Sequence, residues 1–295
     1  MHKFLRAVGF SEYQDRKQIQ QLVRDVILRA DERKYTSLNN DSLFAEFDRN
    51  FAEGMGIAVC GEFDEEDNYI YEYYYPYLRS RIVSTAEDVT VERHIYRESY
   101  AGISEDPKIG VSLIFYLQNM MDYLKYKNQD RLPITGTSLN LSALSCNGII
   151  MMPIQKSERQ KNKIKNDAVI RNRLIQAAKG GDEAAIESLT LEDMDMYTTV
   201  SRMIHDHDIF SVVDTYFMPF GIECDLYSIL GEIQDWKKVK NSITGEEIYI
   251  MSLCCNDLNL QLCINSMDLT GEPAIGRRFR GDIWLQGFIN YPSES

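Results

Sequence analysis

Apolar residues recur at helical spacing in two stretches near the start of the chain. Between Gln14 and Ala30 the apolar residues that share one face are Ile19, Leu22, Val23, Val26 and Ile27. The stretch Ser42–Phe51 has the same spacing, and Gly54 follows it, as glycine often follows the end of a helix. The pattern predicts two amphipathic helices ahead of the first strand.

Short runs with strand character come next. Residues 57–63 and 69–78 flank an acidic turn at 64–68, which predicts a hairpin with a long loop. Further strands of the first half are predicted at 89–96, 110–117 and 138–153. The first half therefore has an α+β pattern in which the helices lead.

The second half repeats this order of elements. Gly180–Glu183 is typical of a helix start with acidic residues in the first turn, and Met194–Phe217 predicts a further helix that is broken near His205. Strands are then predicted at 223–233, 247–255, 258–265 and 282–291. Asn256-Asp257 suits a tight turn between the middle two strands.

Two short phrases occur twice, about 170 residues apart. Gly61-Glu62 and Gly231-Glu232 each end an apolar run, and Leu117-Gln118 and Leu285-Gln286 each close a later one. The spacing between the two phrases is 56 positions in the first half and 54 in the second. Similar phrases at similar spacing indicate an internal repeat. The predicted fold is α+β, with two pseudo-repeated modules that each lead from amphipathic helices into a mainly antiparallel sheet.

A basic stretch separates the two predicted modules. Residues 156–173 carry seven basic and two acidic side chains, in a chain whose net charge is −13. This favours a solvated, helical connector between an N-terminal module at 1–155 and a C-terminal module at 174–295. Short strands with glycine breaks, ending in 281–287, are compatible with an OB-like barrel in the second module.

Composition restricts the class of protein. With 295 residues, 44% of them apolar, the chain can bury ordinary cores. Its acidity disfavours nucleic acid and anionic membranes as partners. Six cysteines without a CxxC pair suit a reducing compartment. No signal-peptide core and no apolar run long enough to span a bilayer is present, so a cytoplasmic location is expected.

Several stretches carry a family resemblance. They are the opening Met1–Ala7 together with Gly271–Pro273, Gly276–Gly281 and Trp284–Gly287. Through these residues the chain resembles a family of uncharacterised Clostridia proteins of similar length that is known as a domain of unknown function. The resemblance covers nearly the whole chain. It implies a bacterial, cytoplasmic origin and brings no activity, cofactor or site.

Tyrosines occupy every second position of one predicted strand: Tyr69, Tyr71, Tyr73, Tyr75 and Tyr77. Alternation should project all five rings from a single face. Buried phenols need hydrogen-bond partners, so a half-wet face is expected. This face is either a stacking or binding strip or ordinary cross-strand packing.

A second recognition candidate is the predicted loop from Gly276 to Gly281. Arg277, Arg278 and Arg280 would place three guanidinium groups between flexible glycines, which suits carboxylate or phosphate capture. Pairing with the protein's own carboxylates is the alternative. Trp284 follows in the next strand as a further recognition residue.

Catalytic chemistry has weaker support. His205 and His207 with their neighbouring aspartates invite a metal reading, but residues two apart on a helix point about 200° apart. A solvated helix break is the alternative, and no metal or other cofactor is predicted. Cys254, Cys255 and Cys263 fit core packing. The sequence contains no GxGxxG, HExxH or GxSxG motif.

These observations favour a non-catalytic cytoplasmic protein for binding or scaffolding, with a protein partner or a small polar ligand. Two alternatives stay open. One is a binder of single-stranded nucleic acid through an OB-like C-terminal module, and the other is a hydrolase with its site between the modules.

Overall fold

A computed structural model describes residues 2–39, 42–94, 98–106, 112–132, 135–154, 166, 169–171, 173–178, 180–191, 194 and 213–292. The chain forms two compact units. The main unit comprises residues 1–151 and 215–295, and the second comprises residues 152–214. The protein is α+β, and its sheets are mainly antiparallel.

Helices and strands are numbered in chain order. The helices of the main unit are α1 (Arg16–Leu28) and α2 (Met120–Asn128), with short 3-10 segments at Lys3–Val8 and Ser266–Asp268. The described strands are β1 (Glu32–Asn39), β2 (Ser42–Ala52), β3 (Met55–Phe63), β4 (Tyr69–Leu78), β5 (Val89–Arg93), β6 (Tyr100–Glu105), β7 (Ser112–Leu117), β8 (Ser138–Ser145), β9 (Gly148–Met151), β10 (Tyr216–Pro219), β11 (Leu226–Lys240), β12 (Glu247–Cys255), β13 (Leu258–Asn265), β14 (Leu269–Thr270) and β15 (Arg278–Asn290). Over the parts of the chain described, no helix has both the length and the apolar character needed to cross a bilayer.

The predicted first helix is confirmed as α1. Asp15 caps its N-terminus by accepting a hydrogen bond from Lys17 N, while the Gln18 side chain accepts one from Asp15 N. This reciprocal arrangement is a capping box, and it satisfies donors that have no partner inside the helix. Leu22, Val23 and Val26 are buried, as the helical spacing predicts.

The helix predicted at 42–51 is wrong, because this stretch is strand β2. It pairs antiparallel with β1 and β3 in a four-stranded sheet of order β1-β2-β3-β4. Glu46 and Asp48 are as buried as Phe47 between them. These two carboxylates lie on one face of β2 and pair with Lys34 of the neighbouring β1 and with Arg79, which follows β4. The pairing with β1 and β3 decides that this stretch is a strand, although its phenylalanines recur at helical spacing.

Two predicted hairpins are confirmed. Strands β3 and β4 pair antiparallel across the acidic turn, where Asp64 accepts hydrogen bonds from the backbone N–H groups of Glu66 and Asn68. Strands β12 and β13 pair on either side of Asn256-Asp257. Both turn residues have positive φ, 48° and 60°, as a tight two-residue turn of this kind requires.

Five strands of the larger sheet close into a ring, in the order β11, β12, β13, β8, β15 and back to β11. The long strand β11 makes the closure possible. Its first half pairs with β15, its second half pairs with β12, and the register shifts between Ile233 and Asp235. The β13–β8 pairing is parallel and the other four are antiparallel. The ring therefore takes β8 from the first half of the chain and the other four strands from the second.

The described strands do not follow the predicted division into modules 1–155 and 174–295. Strands from both halves alternate within one eleven-stranded sheet, because β15 pairs with β7 and β8. Gly61 lies in the four-stranded sheet and Gly231 in the larger one, so the two phrases do not occupy equivalent places in duplicated units. The connector 156–173 falls mostly outside the described residues, and its described positions are helical.

The repeated phrases have local causes instead. A Cβ on Gly61 would lie 2.1 Å from the Ile70 carbonyl oxygen, and one on Gly231 would lie 2.3 Å from Cys255 Sγ. Both positions therefore require glycine for close approach, at or near a register shift of their strand. The two glutamines come together in the core, with Gln118 Nε2 donating to Gln286 Oε1 at 2.7 Å.

This glutamine pair, Gln118 and Gln286, joins the two sheets. Leu78 N donates to Gln286 Oε1 at 3.3 Å, and Leu78 O accepts from Gln118 Nε2 at 2.9 Å. Pro76 O accepts from Gln286 Nε2 at 2.8 Å. These are backbone groups of β4, so the two side chains provide the hydrogen bonds that an additional strand would otherwise provide.

Candidate functional site

A cleft of about 780 Å³ opens over the face of β5, β6 and β7. The rest of its lining comes from β4, the segment 2–4, the stretch 222–226 and Trp284 of β15, together with His94 after β5 and Ser99 before β6. Its floor consists of rows of cross-strand partners. Glu92 pairs with Ala101 and Ala101 with Tyr116, while Ile103 pairs with Ile114. Ala101 is the smallest side chain in its row, which leaves space above the sheet.

Trp284 is at the centre of the aromatic wall. Its ring centroid lies 4.7 Å from that of His2, 5.6 Å from that of Phe4 and 5.2 Å from that of Tyr116. Its indole Nε1 donates to Asp225 Oδ2 at 2.7 Å. The structure thus places the predicted recognition residue Trp284 in the cleft, held by ring contacts and by one hydrogen bond to a carboxylate.

The five tyrosines of β4 do not share one face, which corrects the prediction from alternation. Cys60 pairs with Tyr73 whereas Gly61 pairs with Tyr71, so Glu72 is an extra residue in a β-bulge. The bulge moves Tyr69 and Tyr71 to the opposite face from the remaining three. Of those three, Tyr73 and Tyr75 line the cleft, as does their neighbour Tyr74.

The three buried phenols of β4 have hydrogen-bond partners, as the sequence predicts. Tyr73 Oη donates to the Glu98 carbonyl at 2.6 Å, and Tyr75 Oη lies 3.2 Å from both the Gln118 carbonyl and Glu46 Oε2. Tyr77 Oη donates to Asn50 Oδ1 at 3.0 Å. These bonds fix the orientation of the rings.

The cleft is acidic. Glu92, Glu223 and Asp225 are among its lining residues, and Lys3 is the one lysine or arginine among the described residues that line it. Burial raises the pKa of Asp225, and the nearby Glu223 raises it further, while the Trp284 hydrogen bond and the charge of His94 lower it. Two histidines, His2 and His94, also line the cleft.

The arginine cluster lies elsewhere. Arg278 and Arg280 belong to strand β15, which corrects the predicted flexible loop at 276–281. A Cβ on Gly281 would lie 2.4 Å from the Asn147 carbonyl, so this glycine serves close packing. Arg277, in the turn before β15, donates to the Glu272 carbonyl at 2.7 Å. None of the three arginines is among the residues that line the cleft.

A buried acid–base cluster that the sequence analysis missed lies in the four-stranded sheet. Lys34 Nζ is 3.0 Å from Glu46 Oε1 and 2.9 Å from Asp48 Oδ2. Arg79 pairs with Asp48 as well and, at 2.9 Å, with Glu32. The sequence does contain a signal for this cluster, because Glu46 and Asp48 lie on either side of Phe47 and would share one face of a strand. The prediction of a helix over 42–51 instead places the two carboxylates on different faces.

The two buried carboxylates compete for the same cations. Burial and the neighbouring Asp48 raise the pKa of Glu46, Lys34 and Arg79 lower it, and the net result is a pKa of about 7. Burial lowers the pKa of Lys34, but the two carboxylates outweigh it and raise that pKa overall. Glu46 therefore takes up a proton as the pH falls through neutrality, while Lys34 stays charged.

Stability should fall as pH rises through this range. A folded-state pKa of about 7, against an ordinary value of 4.5, means that the folded protein binds the Glu46 proton more tightly than the unfolded chain does. This stabilisation is complete below about pH 4.5 and is lost by about pH 7. Its size is about 3 kcal/mol, because each pH unit in between corresponds to about 1.4 kcal/mol.

Urea unfolding of wild type and Glu46→Gln from about pH 5 to about pH 8 checks this expectation. The Gln variant should lose this part of the pH dependence, while Glu247→Gln, at the start of β12, should retain it. The expectation is contradicted if the free energy of unfolding changes equally with pH in the wild type and in Glu46→Gln.

Metal and thiol chemistry have no support in the described residues. Within the described ranges, no group of three or more His, Cys, Asp or Glu side chains is placed to hold a metal ion. His205 and His207 lie outside the described residues. Burial raises the thiol pKa of Cys60, Cys255 and Cys263, which keeps them protonated at neutral pH.

The fold and the site together define an α+β protein with one large mixed sheet and an aromatic, acidic cleft. The chain belongs to the family described as "Domain of unknown function, E. rectale Gene description (DUF3881)", which matches residues 5–287. The resemblance seen in the sequence is thereby confirmed. No curated protein and no solved structure matches the chain.

Proposed function

We propose that this protein is a non-catalytic cytoplasmic binding protein that holds a small polar ligand in the aromatic cleft. One observation carries the proposal. Tyr73 and Tyr75 of β4, Tyr116 of β7 and Trp284 of β15 converge on a single cavity of about 780 Å³. That volume lies within the range of small-molecule sites, which combine apolar walls with a few polar groups.

The state of the polar groups supports binding over catalysis. The phenol of Tyr73 donates to a backbone carbonyl, and the carboxylate of Asp225 accepts from the Trp284 indole. These groups are held in fixed hydrogen bonds and give the walls a defined shape. A rigid aromatic surface of this kind favours affinity, because little side-chain freedom is lost when a ligand binds.

Filling the cleft should abolish binding. Ala101→Trp places an indole on the floor between Glu92 and Tyr116. In a thermal-shift screen against polar metabolites, at least one compound should stabilise the wild type, by about 2.7 kcal/mol at a hundred times its Kd, and leave Ala101→Trp unchanged. Ala184→Trp, at an exposed helical position, is the matched control. The proposal fails if no compound separates the wild type from Ala101→Trp.

The closed ring of β11, β12, β13, β8 and β15 supports a second proposal, an OB-like barrel. Such barrels bind single-stranded nucleic acids or oligosaccharides. Here the ring differs from the one expected within residues 174–295, because β8 closes it. The acidity of the cleft weighs against nucleic acid. Retention of an oligonucleotide at low salt, with affinity that falls steeply as salt rises, would favour this alternative.

A further inference from the structure

We infer that the ligand of the cleft is a small organic cation, an ammonium compound that also carries a hydroxyl group. This inference rests on the proposed function and names the chemistry of its ligand. It depends on three features of the cleft, which are its charge, its aromatic lining and an unused hydroxyl.

The first feature is charge complementarity. Glu92 of β5 lines the cleft, and so do Glu223 and Asp225 of the stretch 222–226. Asp225 is half-buried, and its Oδ2 accepts from Trp284 Nε1. A half-buried carboxylate gains more from a nearby cation than an exposed one, because the effective dielectric constant is lower. An anionic ligand would instead add to the repulsion among these side chains.

The second feature is the aromatic lining. Ammonium groups are attracted to the faces of Trp, Tyr and Phe rings within about 6 Å of the centroid, and aromatic cages bind quaternary ammonium groups in this way. The cleft already contains one such contact, because Lys3 Nζ lies 5.5 Å from the centroid of Phe4. A ligand cation would meet the same class of surface at Tyr74, Tyr116 and Trp284.

The third feature is Ser99. Ser99 is among the residues that line the cleft and is 1% exposed, and its Oγ has no hydrogen-bond partner among the described residues. A buried hydroxyl without a partner destabilises the free protein, so a ligand that bonds to it gains affinity. This observation is independent of the carboxylates, and it indicates a hydroxyl or another hydrogen-bonding group on the ligand.

Three probes test the inference: choline, the neutral alcohol in which carbon replaces the choline nitrogen, and tetramethylammonium. Binding is followed by the fluorescence of Trp284 in a Trp236→Phe background, since the chain has two tryptophans. Choline should bind about ten-fold more tightly than the neutral alcohol. Glu223→Gln should weaken choline about three-fold or more, and Glu247→Gln should leave it unchanged.

The hydroxyl is tested separately. Ser99→Ala should weaken choline about five-fold and leave tetramethylammonium unchanged, because the latter has no hydroxyl. Equal affinities for choline and the neutral alcohol, or no binding of any probe, would overturn the inference. The proposed function would still stand in that case if another compound stabilised the wild type and not Ala101→Trp, so the two failures are distinguishable.

Discussion

Lys34→Met should destabilise the protein by about 3–5 kcal/mol at about pH 8. The ammonium of Lys34 lies 3.0 Å from Glu46 and 2.9 Å from Asp48, and both carboxylates are buried. Without the lysine, two neighbouring carboxylates share the single remaining cation, Arg79. A buried charge without a partner costs much more than the lost ion pair itself gains.

The pH dependence of this variant identifies the cause. At about pH 5 Glu46 is protonated in the folded state, so the loss should shrink markedly. The double variant Lys34→Met with Glu46→Gln should recover much of the stability at about pH 8, because only one buried carboxylate remains charged. Lys238→Met, which removes an exposed partner of Glu247, is the matched control. Chemical unfolding curves of the wild type, the two variants and the control give the free energies of unfolding at both pH values. A loss for Lys34→Met that is the same at both pH values would contradict the explanation.

Gln286→Leu should destabilise the protein by about 4 kcal/mol. The substitution leaves Leu78 N and Pro76 O without their partners in the core, and it removes the acceptor of the 2.7 Å bond from Gln118. Each buried polar group left without a partner costs about 1–3 kcal/mol. The hydrophobic gain from leucine is smaller than this loss.

Gln234→Leu, at an exposed position of β11, is the control for the change of side chain. Gln118→Leu should also destabilise, and the double variant should cost less than the sum of the two, because the glutamines bond to each other. Urea unfolding measures the loss for Gln286→Leu, Gln118→Leu, the double variant and the control. Additive losses, or a Gln286→Leu loss no larger than that of Gln234→Leu, would show that the glutamine pair does not hold the sheets together.

Elements with a strong local signal could be predicted from the sequence. Helix α1 has both the apolar spacing and a capping residue, and the β12–β13 hairpin has a turn that only a few residue types tolerate. Strand β2 could not be predicted in this way, because its phenylalanines recur at helical spacing. Its identity depends on pairing with β1 and β3, and that information lies outside the stretch itself.

Only some residues of the candidate site could be predicted from the sequence. Residue type and alternation indicate Trp284, Tyr73 and Tyr75 as recognition residues, and all three line the cleft. The bulge that removes Tyr69 and Tyr71 from their face arises opposite Gly61 on another strand, so the alternation of β4 alone gives no sign of it. Asp225 and Glu92 join the site only through long-range strand pairing.

Closure of the ring has a consequence for biosynthesis. Strand β15 pairs with β8 through Leu285 and Ala143, a separation that the ribosome takes many seconds to synthesise. Until residues 278–290 emerge, nascent chains expose the edges of β7, β8 and β11 with which β15 pairs in the folded protein. Such edges promote aggregation. A stop codon within β15 should therefore give an insoluble product that needs chaperones, instead of a shortened working protein.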